Sequence, residues 1–153
     1  MDNTVLVIGI GNEDRGDDGV GLAAIKALEE QGLQEVICKK STGDGMALMD
    51  LWEGFSNVIL IDAMLSDSTP GAICRCDVNK EVIPARLSSH SAYAFGVADA
   101  IELAKTLYEL PTNLIVYAIE GKDFTARAGL TPEVEYAASV IVRLVMREVQ
   151  ESR

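Results

Sequence analysis

The stretch Val5-Leu6-Val7-Ile8-Gly9-Ile10-Gly11 decides the fold. Four consecutive aliphatic residues are typical of a strand buried on both faces, and the glycines after them predict a tight turn. A helical pattern of apolar residues follows at 20–30, and Gly32 is expected to end that helix. Val58-Ile59-Leu60-Ile61 is a second aliphatic run of the same kind. Two buried strands with a helix between them predict a parallel sheet and an α/β fold.

The same periodicities predict the other elements, which are strands at 35–38, 71–78 and 114–119 and helices at 46–55, 92–107 and 132–150. Thr131 is the expected N-cap of the last helix, with proline at its first position. The strand at 71–78 is expected at an edge of the sheet because Arg75 and Asp77 interrupt its apolar pattern.

The resulting order β-α-β-α-β-β-α-β-α predicts a three-layer αβα sandwich. Its centre is a mostly parallel, five-stranded twisted sheet with helices on both faces. Right-handed crossovers place the second strand outside the first, so the first and third strands are expected to be neighbours. Ligands of such sheets bind beyond the carboxyl ends of the strands, at the point where the strand order reverses.

The composition limits the classes of function. The 153 residues suit a single domain spanning 1–153, and 48% hydrophobic residues suffice for a core. The net charge of -11 would repel phosphate backbones, so nucleic acid is not an expected partner. No basic start of a signal peptide and no long apolar run is present, so we expect a cytoplasmic protein without membrane contact. We also expect a monomer, although no sequence feature fixes the oligomeric state. Three cysteines fit that reducing compartment.

The first loop, at 9–19, begins like a dinucleotide-binding fingerprint but carries the wrong charge. Asp14 occupies the place of the third glycine, and the loop holds the acidic residues Glu13, Asp17 and Asp18 as well. These carboxylates would repel a pyrophosphate, so the loop suits a cation better. Alternatively, Asp17 and Asp18 could merely complement the N-terminal dipole of the following helix.

Two further residues are candidates for the same crevice. Asp62 directly follows a buried strand, where a carboxylate is costly unless it is paired or bound to a metal. An ordinary N-cap or turn aspartate is the alternative. His90 is the one histidine in the chain and precedes a predicted helix, whose N-terminus would favour the neutral imidazole needed for ligation. A lone histidine could also be incidental.

Asp18, Asp62 and His90 together offer two carboxylates and one imidazole, which suits a divalent ion such as nickel or zinc. The sequence has no H-E-x-x-H motif of zinc proteases and no G-x-S-x-G motif of serine hydrolases. The three residues are therefore candidates for both metal binding and catalysis.

At these residues the chain resembles the [NiFe]-hydrogenase maturation endopeptidases. The first loop, with Asp17-Asp18-Gly19-Val20-Gly21, looks like the family's N-terminal motif. The other matching pieces are Ile61-Asp62-Ala63, Ser88-Ser89-His90 followed by Gly96-Val97-Ala98-Asp99, and Gly129-Leu130-Thr131-Pro132-Glu133-Val134. In one place the chain departs from the family, which usually has Gly-Thr where this chain has Thr42-Gly43-Asp44-Gly45.

The resemblance implies an endopeptidase that removes a C-terminal extension from a hydrogenase large-subunit precursor after nickel insertion. It implies that Asp18, Asp62 and His90 recognise the nickel, which the precursor itself carries; other divalent ions could substitute in vitro. Two alternatives stay open: a non-catalytic, metal-dependent binding or checkpoint module on the same fold, and a nucleotide-binding enzyme built on the glycine-rich turn.

Overall fold

A computed structural model describes residues 3–84, 86–87 and 92–151 of the chain. The strands are β1 (Val5–Ile10), β2 (Val36–Ser41), β3 (Asn57–Met64), β4 (Ile73–Asp77) and β5 (Asn113–Glu120). The α-helices are α1 (Val20–Glu30), α2 (Gly45–Trp52), α3 (Val97–Thr106) and α4 (Pro132–Glu151). A single 3-10 turn at Gly16–Gly19 connects the first loop to α1.

The strands form one sheet in the order β2-β1-β3-β5-β4. The pairs of β1 with β2, β1 with β3, and β3 with β5 are parallel, whereas the edge strand β4 is antiparallel to β5. This arrangement confirms the predicted mostly parallel sheet, the contact between the first and third strands, and the edge position of the strand near Arg75. The strand order reverses at β1 and β3, so the crevice is expected beyond their carboxyl ends.

Alternating residues of the strands supply a separate hydrophobic core to each face of the sheet. On one face, Val5, Val7, Ile59 and Ile61 pack with residues of α1 and α4. On the other face, residues such as Leu60 pack with α2 and α3. The buried aliphatic runs therefore explain the three layers, with α1 beside α4 and α2 beside α3.

The start of α1 lies unusually close to the sheet at Gly21. A Cβ atom added there would lie 2.5 Å from the carbonyl oxygen of Ile61 and 2.6 Å from the main-chain nitrogen of Ile10. Only glycine allows this approach, because such distances are far inside van der Waals contact. This close contact places the 3-10 turn and the start of α1 directly against the carboxyl ends of β1 and β3.

Several predicted boundaries were wrong. The helix predicted at 92–107 begins at Val97, because the carboxylate of Asp99 accepts a hydrogen bond from the Gly96 N–H and caps the helix there. The strand predicted at 35–38 extends to Ser41, and the helix predicted at 46–55 ends at Trp52. No helix in the described residues is both long enough and apolar enough to span a bilayer.

A partly exposed ionic cluster ties the C-terminal part of α4 to strands β4 and β5. The Glu148 carboxylate accepts hydrogen bonds from Arg75 Nε at 2.8 Å, Arg75 Nη2 at 2.9 Å and the Tyr117 hydroxyl at 2.6 Å. The Arg75 hydrogen bonds hold the pKa of Glu148 below its ordinary value. Burial, followed by the bond to Glu148, raises the pKa of Tyr117.

We expect Glu148→Gln to lower the free energy of unfolding by about 1–3 kcal/mol at neutral pH, because charge-assisted bonds from Arg75 and Tyr117 are lost. Since the pKa of Glu148 is lower in the folded state, its contribution is present above the unfolded pKa. It is lost as the pH falls through the folded pKa. Urea unfolding from pH 7 to acid should show the difference between wild type and variant shrinking. The exposed Glu102→Gln is the control, and a difference independent of pH would contradict the prediction.

Candidate active site

A crevice of about 410 Å³ opens at the carboxyl ends of β1 and β3. The first loop, the loop after β2, Asp62 of β3, and the segment just before α3 contribute its walls. The lining side chains and backbone are those of Ile10, Gly11, Asn12, Glu13, Asp14, Arg15, Asp18, Leu22, Thr42, Gly43, Asp62, Ala92 and Tyr93. This is the position at which ligands bind in open α/β sheets.

Asp62 lies inside β3, not beyond its end as the sequence suggested. It stands opposite Ala118 of β5, and its side chain is only 2% exposed. Its Oδ1 atom accepts a hydrogen bond of 2.8 Å from the Ala63 N–H. Because β3 continues on both sides of Asp62, this residue is not the helix N-cap or turn aspartate of the alternative interpretation. A carboxylate inside a buried strand that also lines a crevice is well placed to bind a cation.

Asp18 reaches the same crevice from the 3-10 turn. Its side chain is 7% exposed, and its Oδ2 atom accepts a 3.0 Å hydrogen bond from the Asn12 N–H. Gly11 makes this turn possible, since its φ of +145° suits glycine and a Cβ there would collide with the Asp18 carbonyl. The structure thus brings Asp18 and Asp62, which are 44 positions apart in the sequence, to one crevice.

Asp17 has a different place from the one that the helix-dipole interpretation gave it. It lies in the 3-10 turn before α1, is fully buried, and does not line the crevice. Its carboxylate instead accepts hydrogen bonds from the loop that joins β5 to α4, including the N–H and the hydroxyl of Thr131. The Thr131 hydroxyl, predicted as an N-cap, is therefore directed to Asp17.

His90 lies outside the described residues. Described residues on both sides of it belong to the same end of the sheet. Leu87 forms a bridge with Met64, two positions beyond Asp62, and Ala92 lines the crevice. Within the described residues, no group of three or more His, Cys, Asp or Glu side chains is placed to hold a metal ion.

Tyr93 is a crevice residue that the sequence analysis missed. The predicted helix at 92–107 placed it on a helix, whereas it precedes α3 and is 42% exposed. A Cβ on Gly43 would lie 3.9 Å from its ring, so Tyr93 lies next to the loop after β2 at the crevice. An aromatic side chain three positions after a histidine and three before a glycine helix cap was the signal available in the sequence.

The crevice has a strongly negative charge. Among the described residues that line it, Glu13, Asp14, Asp18 and Asp62 are acidic and Arg15 is the one that is basic. Such a surface concentrates cations and repels phosphates. This charge argues against the nucleotide-binding alternative and favours a divalent ion, for which carboxylate oxygens are suitable donors.

The sequence model of the hydrogenase maturation protease family matches residues 40–148. The hydrogenase 2 maturation protease of Escherichia coli K12 is 26% identical, over 97% of this chain and 92% of that protein.

Solved structures show the same fold. The hydrogenase maturating endopeptidase HybD from E. coli has a TM-score of 0.78 at 23% identity, covering 97% of this chain and 93% of that one. The [NiFe] hydrogenase maturation protease HybD from Thermococcus kodakarensis has a TM-score of 0.73 at 26% identity, covering 95% of this chain and 99% of that one. The five-stranded, mostly parallel sheet is therefore shared with these proteins.

Proposed function

The chain belongs to the hydrogenase maturation protease family, and we propose that it removes the C-terminal extension of a [NiFe]-hydrogenase large-subunit precursor after nickel insertion. It is an endopeptidase, which argues against the alternative of a non-catalytic, metal-dependent binding module. The observation that carries the more specific proposal is the pair Asp18 and Asp62, which line one crevice at the carboxyl ends of neighbouring strands.

The proposed site consists of Asp18, Asp62 and His90, acting on nickel that belongs to the precursor. Two carboxylates and an imidazole form a mixed oxygen and nitrogen donor set that fits a borderline divalent ion. The place of His90 in this set is supported by its sequence neighbours: Ala92 lines the crevice, and Leu87 pairs with Met64, two positions beyond Asp62. The remaining ligands of the ion would come from the precursor.

A divalent ion polarises a carbonyl oxygen or lowers the pKa of a bound water, and either effect assists peptide hydrolysis. The residues of this chain have a simpler task, which is to bind the ion in a fixed position. Asp18 is held by the Asn12 N–H and Asp62 by the Ala63 N–H, so both carboxylates are oriented before the precursor arrives. Such preorganisation is what a site for a metal-containing substrate requires.

The proposal also includes a cytoplasmic, monomeric protein. The three cysteines are free thiols, as expected for a reducing compartment.

Incubation with nickel-loaded precursor tests the function. We expect the large subunit to lose the mass of a short C-terminal peptide, which mass spectrometry detects together with the released fragment. Less endopeptidase than precursor should suffice, because one endopeptidase molecule should process many precursor molecules. Formation of a stable complex without any mass loss would contradict the proposed reaction and favour a checkpoint module.

A further inference from the structure

The Asp17 carboxylate is buried among donors from a distant part of the chain. It is 0% exposed. Its Oδ2 atom accepts hydrogen bonds from the N–H groups of Lys122 at 2.8 Å and Asp123 at 3.0 Å. Its Oδ1 atom accepts one from the Thr131 N–H at 2.8 Å, and the Thr131 hydroxyl lies 2.8 Å from Oδ2. These donors are neutral groups, so the carboxylate is stabilised by oriented dipoles.

The main chain joins the same two segments. The Asp17 N–H donates to the carbonyl of Asp123 at 2.9 Å, and the Gly16 N–H donates to the carbonyl of Arg127 at 2.9 Å. In return, the Arg127 N–H donates to the carbonyl of Asp14 at 3.1 Å. The 3-10 turn is therefore bound to the loop between β5 and α4 by side-chain and main-chain bonds together.

Asp17 and Asp18 are neighbours in that turn, but their side chains have different surroundings. A 3-10 helix has about three residues per turn, so successive side chains point roughly a third of a turn apart. One carboxylate consequently enters the loop between β5 and α4, while the next lines the crevice. Because one peptide bond joins the two residues, a shift in the main chain of Asp17 also shifts Asp18.

We propose that Asp17, together with Thr131, is a positioning residue for the processing reaction. The pair fixes the turn on which Asp18 is carried, and this inference rests on the proposed function of Asp18. It also assigns a role to Thr131 in the motif Gly129-Leu130-Thr131-Pro132, which lines no part of the crevice. A displacement of about 1 Å at a catalytic site is enough to reduce turnover severely.

The test compares Asp17→Asn with wild type on nickel-loaded precursor, at a temperature well below the melting temperature of the variant. Asparagine turns an N–H₂ group toward the N–H donors, so the turn should shift. We expect kcat to fall about tenfold, as for residues that orient metal ligands, while KM changes by less than about twofold. KM is expected to change little because the variant alters the position of Asp18 and removes no residue that lines the crevice.

Two further variants separate positioning from stability. Thr131→Val removes the hydroxyl donor and keeps the main-chain N–H, so kcat should fall about threefold. The double variant should be no worse than Asp17→Asn, because both changes act through the same contact. Glu148→Gln is the matched control: it removes another hydrogen-bonded carboxylate at the opposite end of α4 and should lower the melting temperature without changing kcat.

The inference is overturned if Asp17→Asn and Thr131→Val lower only the melting temperature and keep the wild-type kcat. It is also overturned if Glu148→Gln reduces kcat to the same extent, since general destabilisation would then explain the loss. If Asp17→Asn does not fold, Thr131→Val alone decides the question. Failure of the wild-type protein to process the precursor in the same assay would instead refute the proposed function.

Discussion

Asp62→Asn is expected to abolish processing and to leave the melting temperature unchanged or higher. The Asp62 Oδ1 atom accepts a hydrogen bond from the Ala63 N–H, and the asparagine carbonyl can keep that bond. Removing one negative charge also relieves repulsion with Asp18 in the same crevice. The fold therefore loses little, whereas the ion loses a charged oxygen donor.

The expected loss of kcat is at least about 100-fold, because changes even in residues that only orient metal ligands cost about 10–100-fold. Rates with nickel-loaded precursor and thermal unfolding curves are the two measurements. Asp77→Asn is a suitable control, since Asp77 ends the antiparallel edge strand β4, away from the crevice, and its carboxylate accepts a hydrogen bond from the Asn79 N–H. A much lower melting temperature for Asp62→Asn would indicate a structural role. Near-normal processing would remove Asp62 from the proposed site.

Nickel-free precursor is expected to be processed at least about 100-fold more slowly than nickel-loaded precursor, since the ion supplies the activation of carbonyl or water. The proposed site contributes three ligands, Asp18, Asp62 and His90, whereas a tightly bound divalent ion usually has four or more. The precursor must therefore contribute donors of its own, which are arranged only around inserted nickel.

The experiment uses one precursor preparation divided into loaded and unloaded halves. Adding free nickel to the endopeptidase alone should not restore the slow reaction, because the ion has to be inserted in the precursor. Equal rates for the two halves would refute nickel recognition while leaving the endopeptidase activity intact. Restoration by nickel bound to the endopeptidase would show that the metal belongs to the enzyme.

The sheet could be predicted because its strands are coded locally. The aliphatic runs in β1 and β3 are buried on both faces, and the helical spacing at 20–30 matches α1 at both ends. The start of α3 was harder to predict from the sequence. Its cap is a glycine whose N–H is bound by Asp99, and the apolar residues just before it extended the helical pattern falsely.

The site was only partly predictable, for a physical reason that Asp17 illustrates. Its hydrogen-bond donors are 105 to 114 positions away in the sequence, so nothing near Asp17 indicates that it is buried. A local interpretation saw only a charge before a helix. Asp18 and Asp62 could be predicted as site residues from their local sequence. Asp18 lies in the acidic loop after β1, and Asp62 directly follows an aliphatic run. Tyr93 was hidden by the misplaced helix start.

The bond between Asp17 and Thr131 also has a consequence for the folding kinetics. A contact across 114 positions closes one of the longest loops that this chain can form, and loop closure carries an entropic cost that short-range contacts avoid. The helical and neighbouring-strand contacts around α1 can therefore form earlier than the turn that carries Asp18. During synthesis, residues up to β5 can collapse while the crevice is still unfinished. If Asp17 positions Asp18 as proposed, we expect the enzyme to become competent only when the segment around Thr131 has left the ribosome and closed onto Asp17.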